Sequence, residues 1–376
     1  MNQIRSKLVR IHYSVAALFA AAMFGSTVLA QGPSAGPDLA VDAATRSTVI
    51  DSLLKQLDDA YVFPETAKKM ETDIRSRQKN GEYDSVTSSR AFAEKLTADL
   101  QSVSHDKHLR VRFSPDVIAV RPEHSEPTEA EKANQVRYSN FMNSGFEKVE
   151  RMPGNVGYIK FNNFFDPDAG ADTVAAAMNF VANTDFLIFD LRDNGGGDPA
   201  MVKLICSYLF GEKPVHLNDL YWRRGNKTEE FWTIPTVPGK KYLDKDVYIL
   251  TSNRTFSGGE EFTYNLKNLK RATVIGETTG GGAHPGGVER LSDHFGVFIP
   301  IGRAISPITK TNWEGTGVEP DIKVPKEQAL KTAFLLALNK ALEKAKDDNL
   351  KENLKQVIDR TQKELDEMKK TAVKTN

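Results

Sequence analysis

Ser257 is the residue of this chain best suited to nucleophilic chemistry, because of where it stands between two predicted elements. It follows the apolar segment 247–250, which predicts a strand, and precedes 260–269, which predicts a helix. The first N–H groups of a helix have no partner within the helix, so they can hold an oxyanion that forms beside the hydroxyl. A second junction, at 187–197, ends in three glycines and could bring further N–H groups to the same place. We therefore expect a serine hydrolase.

A serine needs a base to take its proton, and lysine and histidine are the bases common in serine peptidases. No lysine lies between positions 270 and 310, which excludes a lysine shortly downstream of Ser257. The chain has seven histidines. His105 and His108 lie at a predicted helix–strand corner, where rigid neighbours can hold a catalytic side chain. His284 lies in a glycine-rich loop close in sequence to the serine.

Ser257 and the glycine run are compatible with roles other than acyl transfer, but those roles fit the chain less well. Ser257 could serve only as a helix N-cap. The glycines at 195–197 could cradle a phosphate, but no Gly-Lys-Ser/Thr follows, and Asp193 and Asp198 would repel an anion. The histidines lack the spacing His-Glu-x-x-His, and no Gly-x-Ser-x-Gly surrounds the serine. We expect no metal, no other cofactor and no lipase of the α/β-hydrolase type.

Composition predicts a globular protein of one large or two smaller domains. The 376 residues are 40% hydrophobic, which suffices for a sizeable core. Lysine plus arginine equal aspartate plus glutamate at 50 each, so no overall charge favours nucleic acid as a partner. The one cysteine, Cys206, lies in an apolar helical stretch and is expected to be a buried small hydrophobe.

Residues 1–30 have the pattern of a secretory signal peptide. Three basic residues within 5–10 precede an apolar run at 14–24, and small residues follow at 28–30. The run is short for a membrane span, although an uncleaved anchor is the alternative. No cysteine directly follows it, so lipoprotein anchoring is not expected. The pattern predicts export to the periplasm or the medium.

The rest of the chain divides into four predicted segments. Residues 42–115 form a small helical domain that leads into a first strand, and 121–143 form a polar linker with one charged helix. In 150–326 strands alternate with helices, which indicates an α/β core with crossover connections. Residues 327–376 form C-terminal helices. Their apolar stripe packs on the chain's own core or on another subunit of a homo-oligomer.

Three motifs occur in a fixed order. They are Asp-Leu-Arg-Asp-Asn-Gly-Gly-Gly at 190–197, Thr-Phe-Ser-Gly-Gly-Glu-Glu-Phe at 255–262 and Gly-Thr-Gly-Val-Glu-Pro-Asp-Ile at 315–322. In this order they resemble the serine peptidase family of C-terminal processing peptidases, the tricorn protease core and interphotoreceptor retinoid-binding protein, over roughly 50–341. The resemblance implies a crotonase-like (ClpP/crotonase) β/α core. It is nearest the retinoid-binding-protein branch, and no inserted PDZ-like module is expected.

The resemblance also implies a role for each candidate residue. Ser257 is the nucleophile, and the N–H groups of Gly258 and Gly196 form the oxyanion hole. His108 is the base, because Asp-Lys-His at 106–108 is similar to the family's Asp-x-His element.

A third member of the site is implied by position. Glu314 matches the family's glutamate, whose carboxylate would fix the imidazole tautomer and stabilise the imidazolium. Lys107 stands where the tricorn protease has a serine that links histidine to glutamate. His105 and His284 are the alternative bases.

Two classes of function follow. The first is an exported serine peptidase that cleaves a peptide or protein substrate through an acyl-enzyme. The second is a non-catalytic carrier of an apolar ligand such as a retinoid or fatty acid, with 295–299 and 221–222 lining its cleft. A peptide-binding pseudoenzyme on the same scaffold is a further alternative.

Overall fold

The computed structural model describes residues 36–120 and 128–374. The predicted signal peptide at 1–30 lies outside the described residues, as does the start of the predicted linker. Within the described part, no helix is both long and apolar enough to cross a bilayer. The helices are α1 (Ala43–Ala60), α2 (Pro64–Lys79), α3 (Ser89–Ser104), α4 (Glu129–Phe141), α5 (Pro167–Val181), α6 (Pro199–Ser207), α7 (Gly258–Asn268), α8 (Lys326–Lys344) and α9 (Asp348–Lys374). The strands are β1 (Arg110–Phe113), β2 (Phe146–Met152), β3 (Val156–Phe161), β4 (Phe186–Asp190), β5 (His216–Trp222), β6 (Lys227–Trp232), β7 (Asp246–Thr251), β8 (Thr273–Gly276), β9 (Gly286–Arg290), β10 (Phe295–Pro300), β11 (Gly302–Ile305) and β12 (Ile322–Lys323).

A six-stranded sheet forms the centre of the fold, in the order β12-β8-β7-β4-β3-β2. Neighbouring strands are parallel except at the β2–β3 edge, where they are antiparallel. Parallel neighbours need crossover connections, and α5 and α7 supply two of them. All five residues of β4 are buried, as expected for a parallel strand covered on both faces. This arrangement confirms the predicted α/β fold.

Helices cover both faces of this sheet. On one face α5, α6 and α7 share a buried cluster with Phe189 and Ile249. On the other face α8 packs Ala333 against Ile188. The predicted C-terminal apolar stripe lies on α9, and its Leu354 is buried in the same cluster. Leu354 and Leu365 of the stripe are thus buried against their own chain, whereas Leu350 at its start is exposed.

The N-terminal helices share a core with a later part of the chain. Helices α1, α2 and α3 pack with an antiparallel sheet of order β1-β10-β9. Val111 of β1 lies opposite Val297 of β10, and both are buried. Strand pairing thus joins the predicted helical domain to the predicted core. It also brings the corner between α3 and β1 close to the loop between β8 and β9.

Two parts of the structure were not predicted. Strands β5, β6 and β11 form a third sheet, and β2 adds an edge strand to the central one. Their sequences are polar: β6 buries only Phe231, so it lacks the apolar alternation that indicates a strand. The charged helix expected within the polar linker is α4, which buries only Ser139.

Candidate active site

Ser257 lies in strained backbone at the N-terminus of α7. Its φ and ψ are 52° and −118°, and a non-glycine residue held in such a region costs on the order of 1–3 kcal/mol. Two hydrogen bonds hold the turn: the Ser257 N–H donates to Glu260 Oε2 at 3.0 Å, and the Phe256 N–H donates to the Asn194 carbonyl at 3.0 Å. Strain of this kind concentrates at functional sites, so the backbone is consistent with a nucleophile at this position.

The glycine turn lies directly against Ser257. A Cβ built on Gly196 would be 2.7 Å from the Ser257 Cβ and 2.7 Å from the Gly258 nitrogen, so only glycine fits. The Gly196 N–H is not available to an oxyanion, because it donates to Asn194 Oδ1 at 2.9 Å. The structure therefore does not support Gly196 as an oxyanion donor.

The neighbouring glycine is the better donor. The N–H groups of Gly197 and Gly258 have no acceptor among the described residues. They are adjacent, since a Cβ built on Gly258 would be 3.0 Å from the Gly197 nitrogen. Gly197 and Gly258, and not Gly196, therefore present the adjacent open N–H groups beside Ser257 among the described residues. The motif alone did not distinguish Gly196 from Gly197, because the choice depends on where the Asn194 side chain reaches.

His108 packs beside the nucleophile turn. Its ring lies against Phe256, with centroids 4.6 Å apart, and against Phe298 at 5.9 Å. Gly282 borders the same ring, because a Cβ on this glycine would be 2.6 Å from His108 Cε1. The residue before Ser257 and the loop after β8 thus enclose the imidazole.

The enclosure of His108 sets its protonation. Burial lowers the pKa of His108 to about 4, and the charge of Asp106 opposes this shift only in part. The ring is therefore neutral at pH 7, the form that a general base requires. The hydrogen bonds of the described residues do not include one between the Ser257 hydroxyl and this ring. Such contacts are often long in unliganded enzymes and shorten in the substrate complex.

His105 is exposed and ends α3. It adopts the left-handed C-cap conformation, with φ of 56°, and its N–H donates to the Gln101 carbonyl. Its position is explained by helix termination, and the structure does not bring its ring into the cluster around His108.

His284 is buried in a polar cluster. Its Nδ1 is 2.8 Å from Asp106 Oδ2 and 3.4 Å from Glu314 Oε2. The Tyr61 hydroxyl also donates to Asp106 Oδ2, at 3.2 Å. The other oxygen, Asp106 Oδ1, accepts the backbone N–H of His108 at 3.0 Å. Asp106 is thus shared between the two histidines.

Glu314 pairs with His284 rather than with the His108 ring. It accepts the Ala283 N–H, and its Oε1 is buried without a partner among the described residues. Burial raises the pKa of Glu314 to about 7, and the nearby charge of Asp106 adds to this shift. The sequence motif located Glu314 at the site but gave no means to foresee its partner.

The same cluster contains the residue types that could hold a metal ion. Asp106, His284 and Glu314 each offer one ligand atom, and these atoms lie within 4.8 Å of one another. The 2.8 Å between His284 Nδ1 and Asp106 Oδ2 is a hydrogen-bond distance. The Tyr61, His108 and Ala283 donors occupy the carboxylates further. We therefore interpret the cluster as a hydrogen-bonded network.

Glu260 is a site residue that the sequence reasoning missed. It is buried and accepts N–H groups from Ser257, Gly281 and Gly282, at 3.0, 2.6 and 2.8 Å. Burial raises its pKa to about 7, against the hydrogen bonds that it accepts. Glu260 therefore ties the loop beside His108 to the nucleophile turn. Its signal was present, since Ser-x-x-Glu at 257–260 has the spacing of a capping box.

Known protein families match most of the described chain. Residues 155–324 match the family described as Peptidase family S41. Residues 40–145 match the N-terminal domain of Peptidase_S41 in eukaryotic IRBP.

Curated relatives are similar over part of their length. Carboxyl-terminal-processing peptidase 1, chloroplastic, of Arabidopsis thaliana is 28% identical over 178 residues, which cover 47% of this chain and 35% of that protein. The carboxyl-terminal-processing protease of Picosynechococcus is 26% identical over 191 residues, covering 50% of this chain and 43% of that protein. The chain thus spans less than half the length of either relative.

Solved structures share the fold at low identity. A protein from Parabacteroides merdae has a TM-score of 0.54 at 18% identity, covering 81% of this chain and 98% of that one. Mature CPAF has a TM-score of 0.53 at 12% identity, covering 81% and 99%. A lipoprotein from Streptococcus agalactiae has a TM-score of 0.52 at 14% identity, covering 82% and 99%. Residues 155–324 therefore form a peptidase family S41 domain, and 40–145, which precede it in the chain, form the N-terminal domain that accompanies that family.

Proposed function

We propose that the protein is a serine peptidase that cleaves peptide bonds through an acyl-enzyme. The observation that carries the proposal is the packing of the neutral His108 ring on Phe256, directly beside Ser257. A serine alone at a helix N-terminus would be explained as a cap. A serine in strained backbone, with an imidazole packed on the residue before it and two adjacent N–H groups that find no acceptor among the described residues, has the parts that acyl transfer needs.

The proposed reaction starts when His108 takes the Ser257 proton as the hydroxyl oxygen attacks the substrate carbonyl. The N–H groups of Gly197 and Gly258 receive the oxyanion of the tetrahedral intermediate. His108 then gives its proton to the leaving amine, and water hydrolyses the acyl-enzyme by the same steps. Loss of one oxyanion donor typically lowers kcat by about 100- to 1,000-fold.

Glu314 enters this reaction through His284. Its carboxyl group lies 3.4 Å from the His284 ring. It therefore orients His284, and it does not contact the proposed base, His108. Because burial raises its pKa to about 7, Glu314 is partly protonated at neutral pH.

A fluorophosphonate probe with peptide mapping tests the nucleophile. We expect labelling at Ser257 and hydrolysis of a broad peptide library, both lost in Ser257→Ala and in His108→Gln. Ser114→Ala is the matched control, because Ser114 is a half-buried serine outside the site, and it should keep both activities. Unchanged hydrolysis in Ser257→Ala would remove the assignment. Peptide binding without labelling or hydrolysis would indicate a pseudoenzyme instead.

The carrier hypothesis loses its main support. Its proposed cleft lining included Phe295, Val297 and Ile299, which pack in the core shared with the N-terminal helices. Phe298 of the same strand faces His108. These side chains are therefore already in contact with protein, so no observation favours an apolar ligand at this strand.

We also propose that the protein is exported, on the pattern of residues 1–30. Expression of the full chain in a bacterium, followed by fractionation and N-terminal sequencing, should yield a processed form that begins near Gln31. A chain lacking 1–30 should stay in the cytoplasm. A full-length chain found only in the cytoplasm would contradict export.

A further inference from the structure

Asp106 is the carboxylate that connects the two buried histidines. Its Oδ1 accepts the His108 backbone N–H at 3.0 Å, which closes a short turn of the kind that aspartate favours. Its Oδ2 accepts the Tyr61 hydroxyl at 3.2 Å and faces His284 Nδ1 at 2.8 Å. The residue is 1% exposed. Both oxygens are thus fixed, and one of them fixes the backbone that carries the candidate base.

Asp106 keeps its negative charge in this position. Burial alone would raise its pKa, but the hydrogen bond from His284 and the charges of both histidines outweigh burial and hold the pKa below its usual value. Glu314 is the other carboxylate of the cluster, and its pKa is raised to about 7 by burial and by Asp106 itself. Of the two, only Asp106 remains fully ionised at neutral pH.

The charge of Asp106 acts on His108. This charge raises the pKa of the His108 ring and so opposes the lowering that burial causes. Glu314 has no such effect on the pKa of His108. When His108 takes the proton of Ser257 it becomes an imidazolium in a largely buried place. A buried cation is costly without a nearby anion, and Asp106 supplies that anion.

We propose that Asp106 is the positioning residue of the base: it orients His108 through the backbone N–H and stabilises the imidazolium by its charge, while His284 and Tyr61 hold its carboxylate in place. This role rests on the proposed function of Ser257 and His108. It is the role first expected for Glu314, but Glu314 contacts His284 and not the His108 ring.

Asp106→Asn tests the charge with little change of shape, because an amide oxygen can still accept the His108 N–H. We expect kcat to fall by about 100- to 10,000-fold, in the range found when a triad aspartate becomes asparagine, with a much smaller change in KM. The acid limb of kcat/KM should move to lower pH, because the protonated ring loses its anion. The His108 ring titration, followed by NMR, should move in the same direction.

Asp99→Asn is the matched control. Asp99 is also a buried carboxylate that accepts a tyrosine hydroxyl, from Tyr83 at 2.9 Å. It lies in α3, and its substitution should lower stability while kcat and the pH profile stay at wild-type values. Thermal unfolding of both variants separates a loss of fold from a loss of function.

The outcomes distinguish this proposal from the function on which it rests. Wild-type kcat and an unmoved His108 titration in Asp106→Asn would overturn the role of Asp106, even with Ser257→Ala inactive. Activity that survives Ser257→Ala would overturn the proposed function instead, while the NMR titration would still report the coupling between Asp106 and His108.

If Asp106→Asn does not fold, Tyr61→Phe provides a second test, because it removes one hydrogen bond to the Asp106 carboxylate. That variant should lower kcat several-fold and shift the His108 titration, and the absence of both effects would count against the proposal.

Discussion

The imidazole of His108 packs on the ring of Phe256, with centroids 4.6 Å apart, so the candidate base rests on the residue that precedes the candidate nucleophile. The two segments are far apart in the chain. They meet because β1 pairs with β10 and carries the corner after α3 towards the loop that follows β8. The position of the His108 ring therefore depends on its packing against Phe256, and a side chain added at Gly282 would disturb that packing.

Gly282→Ala should abolish the proposed peptidase activity by displacing His108. The added Cβ would lie 2.6 Å from His108 Cε1 and 2.3 Å from Phe256 Cζ, closer than real Cβ contacts allow, so the ring or the loop must move. A displacement near 1 Å can cost on the order of 100-fold in rate, and we expect at least that loss in kcat. Steady-state kinetics with the best library peptide measure it.

Gly287→Ala is the control for that change. It lies in β9, a few residues further along, where a Cβ would meet nothing within 4 Å. Its activity should be that of the wild type. Equal losses in both variants would mean that the loop is sensitive for a reason other than contact with His108.

Asn194→Ala should disable the oxyanion hole without touching Ser257 or His108. Asn194 is fully buried, accepts the Gly196 N–H at 2.9 Å and donates to the Phe161 carbonyl at 3.1 Å. Without its side chain the glycine turn loses the contacts that shape it, and the Gly197 N–H loses its fixed direction. We expect kcat to fall by about 100-fold, near the loss of one donor, with a smaller change in KM.

Asn268→Ala is the comparison for Asn194. It removes a side-chain donation of 2.9 Å to the Tyr264 carbonyl at the far end of α7. Stability should fall by about 1 kcal/mol, and kcat should not change. A similar loss of kcat in both variants would show that the effect comes from general loosening of α7.

Ser257→Gly should be more stable than Ser257→Ala, although both should be inactive. Alanine keeps the strain of φ 52° and ψ −118°, whereas glycine relieves on the order of 1–3 kcal/mol of it. Glycine loses roughly 0.5–1 kcal/mol to its greater freedom in the unfolded chain. The balance predicts a free energy of unfolding about 1 kcal/mol higher for glycine, measurable by urea denaturation. Equal stability would mean that the turn is not strained in solution.

The parts of the fold that bury apolar residues on a regular pattern were predictable. The run at β4 is buried at every position, and a continuous apolar run has few alternatives within an α/β pattern. β6 buries one residue of six, so nothing in its pattern separated it from a surface loop. Its order comes from the hairpin that it forms with β5, and β5 in turn pairs with the much later strand β11.

The residues of the candidate site were likewise predictable only in part. Ser257 was identifiable because strand, serine and helix follow one another in the sequence. The partner of Glu314 was not, because His284 and Asp106 come from loops that only the folded chain brings together. The sequence also could not show which glycine N–H stays open beside Ser257, because that depends on the Asn194 side chain, which accepts the Gly196 N–H.

The stability of the protein should fall as pH rises from about 4.5 to about 8, because Glu261 is buried with a raised pKa. Burial raises the pKa of Glu261 to about 8, and the charge of Asp198 adds to the shift. The unfolded chain ionises this group near 4.5, so between pH 4.5 and 8 the folded state binds more protons. The free energy of unfolding then decreases with pH across that window. His108, with a pKa of about 4, has the opposite effect, but only below its unfolded value of 6.5.

Glu261→Gln should remove the share of this dependence that Glu261 contributes while keeping the shape of the side chain, whereas Glu260 and Glu314 still contribute below their pKa of about 7. At pH 9 the variant should exceed the wild type by a few kcal/mol, since each pKa unit corresponds to about 1.4 kcal/mol, and near pH 5 the two should be nearly equal. Urea denaturation between pH 6.5 and 9 measures the slope outside the range in which His108 titrates. Glu352→Gln, on the exposed side of α9, should leave the wild-type slope unchanged. Parallel slopes for wild type and Glu261→Gln would mean that Glu261 is already ionised in the fold, with a cation or water beside it.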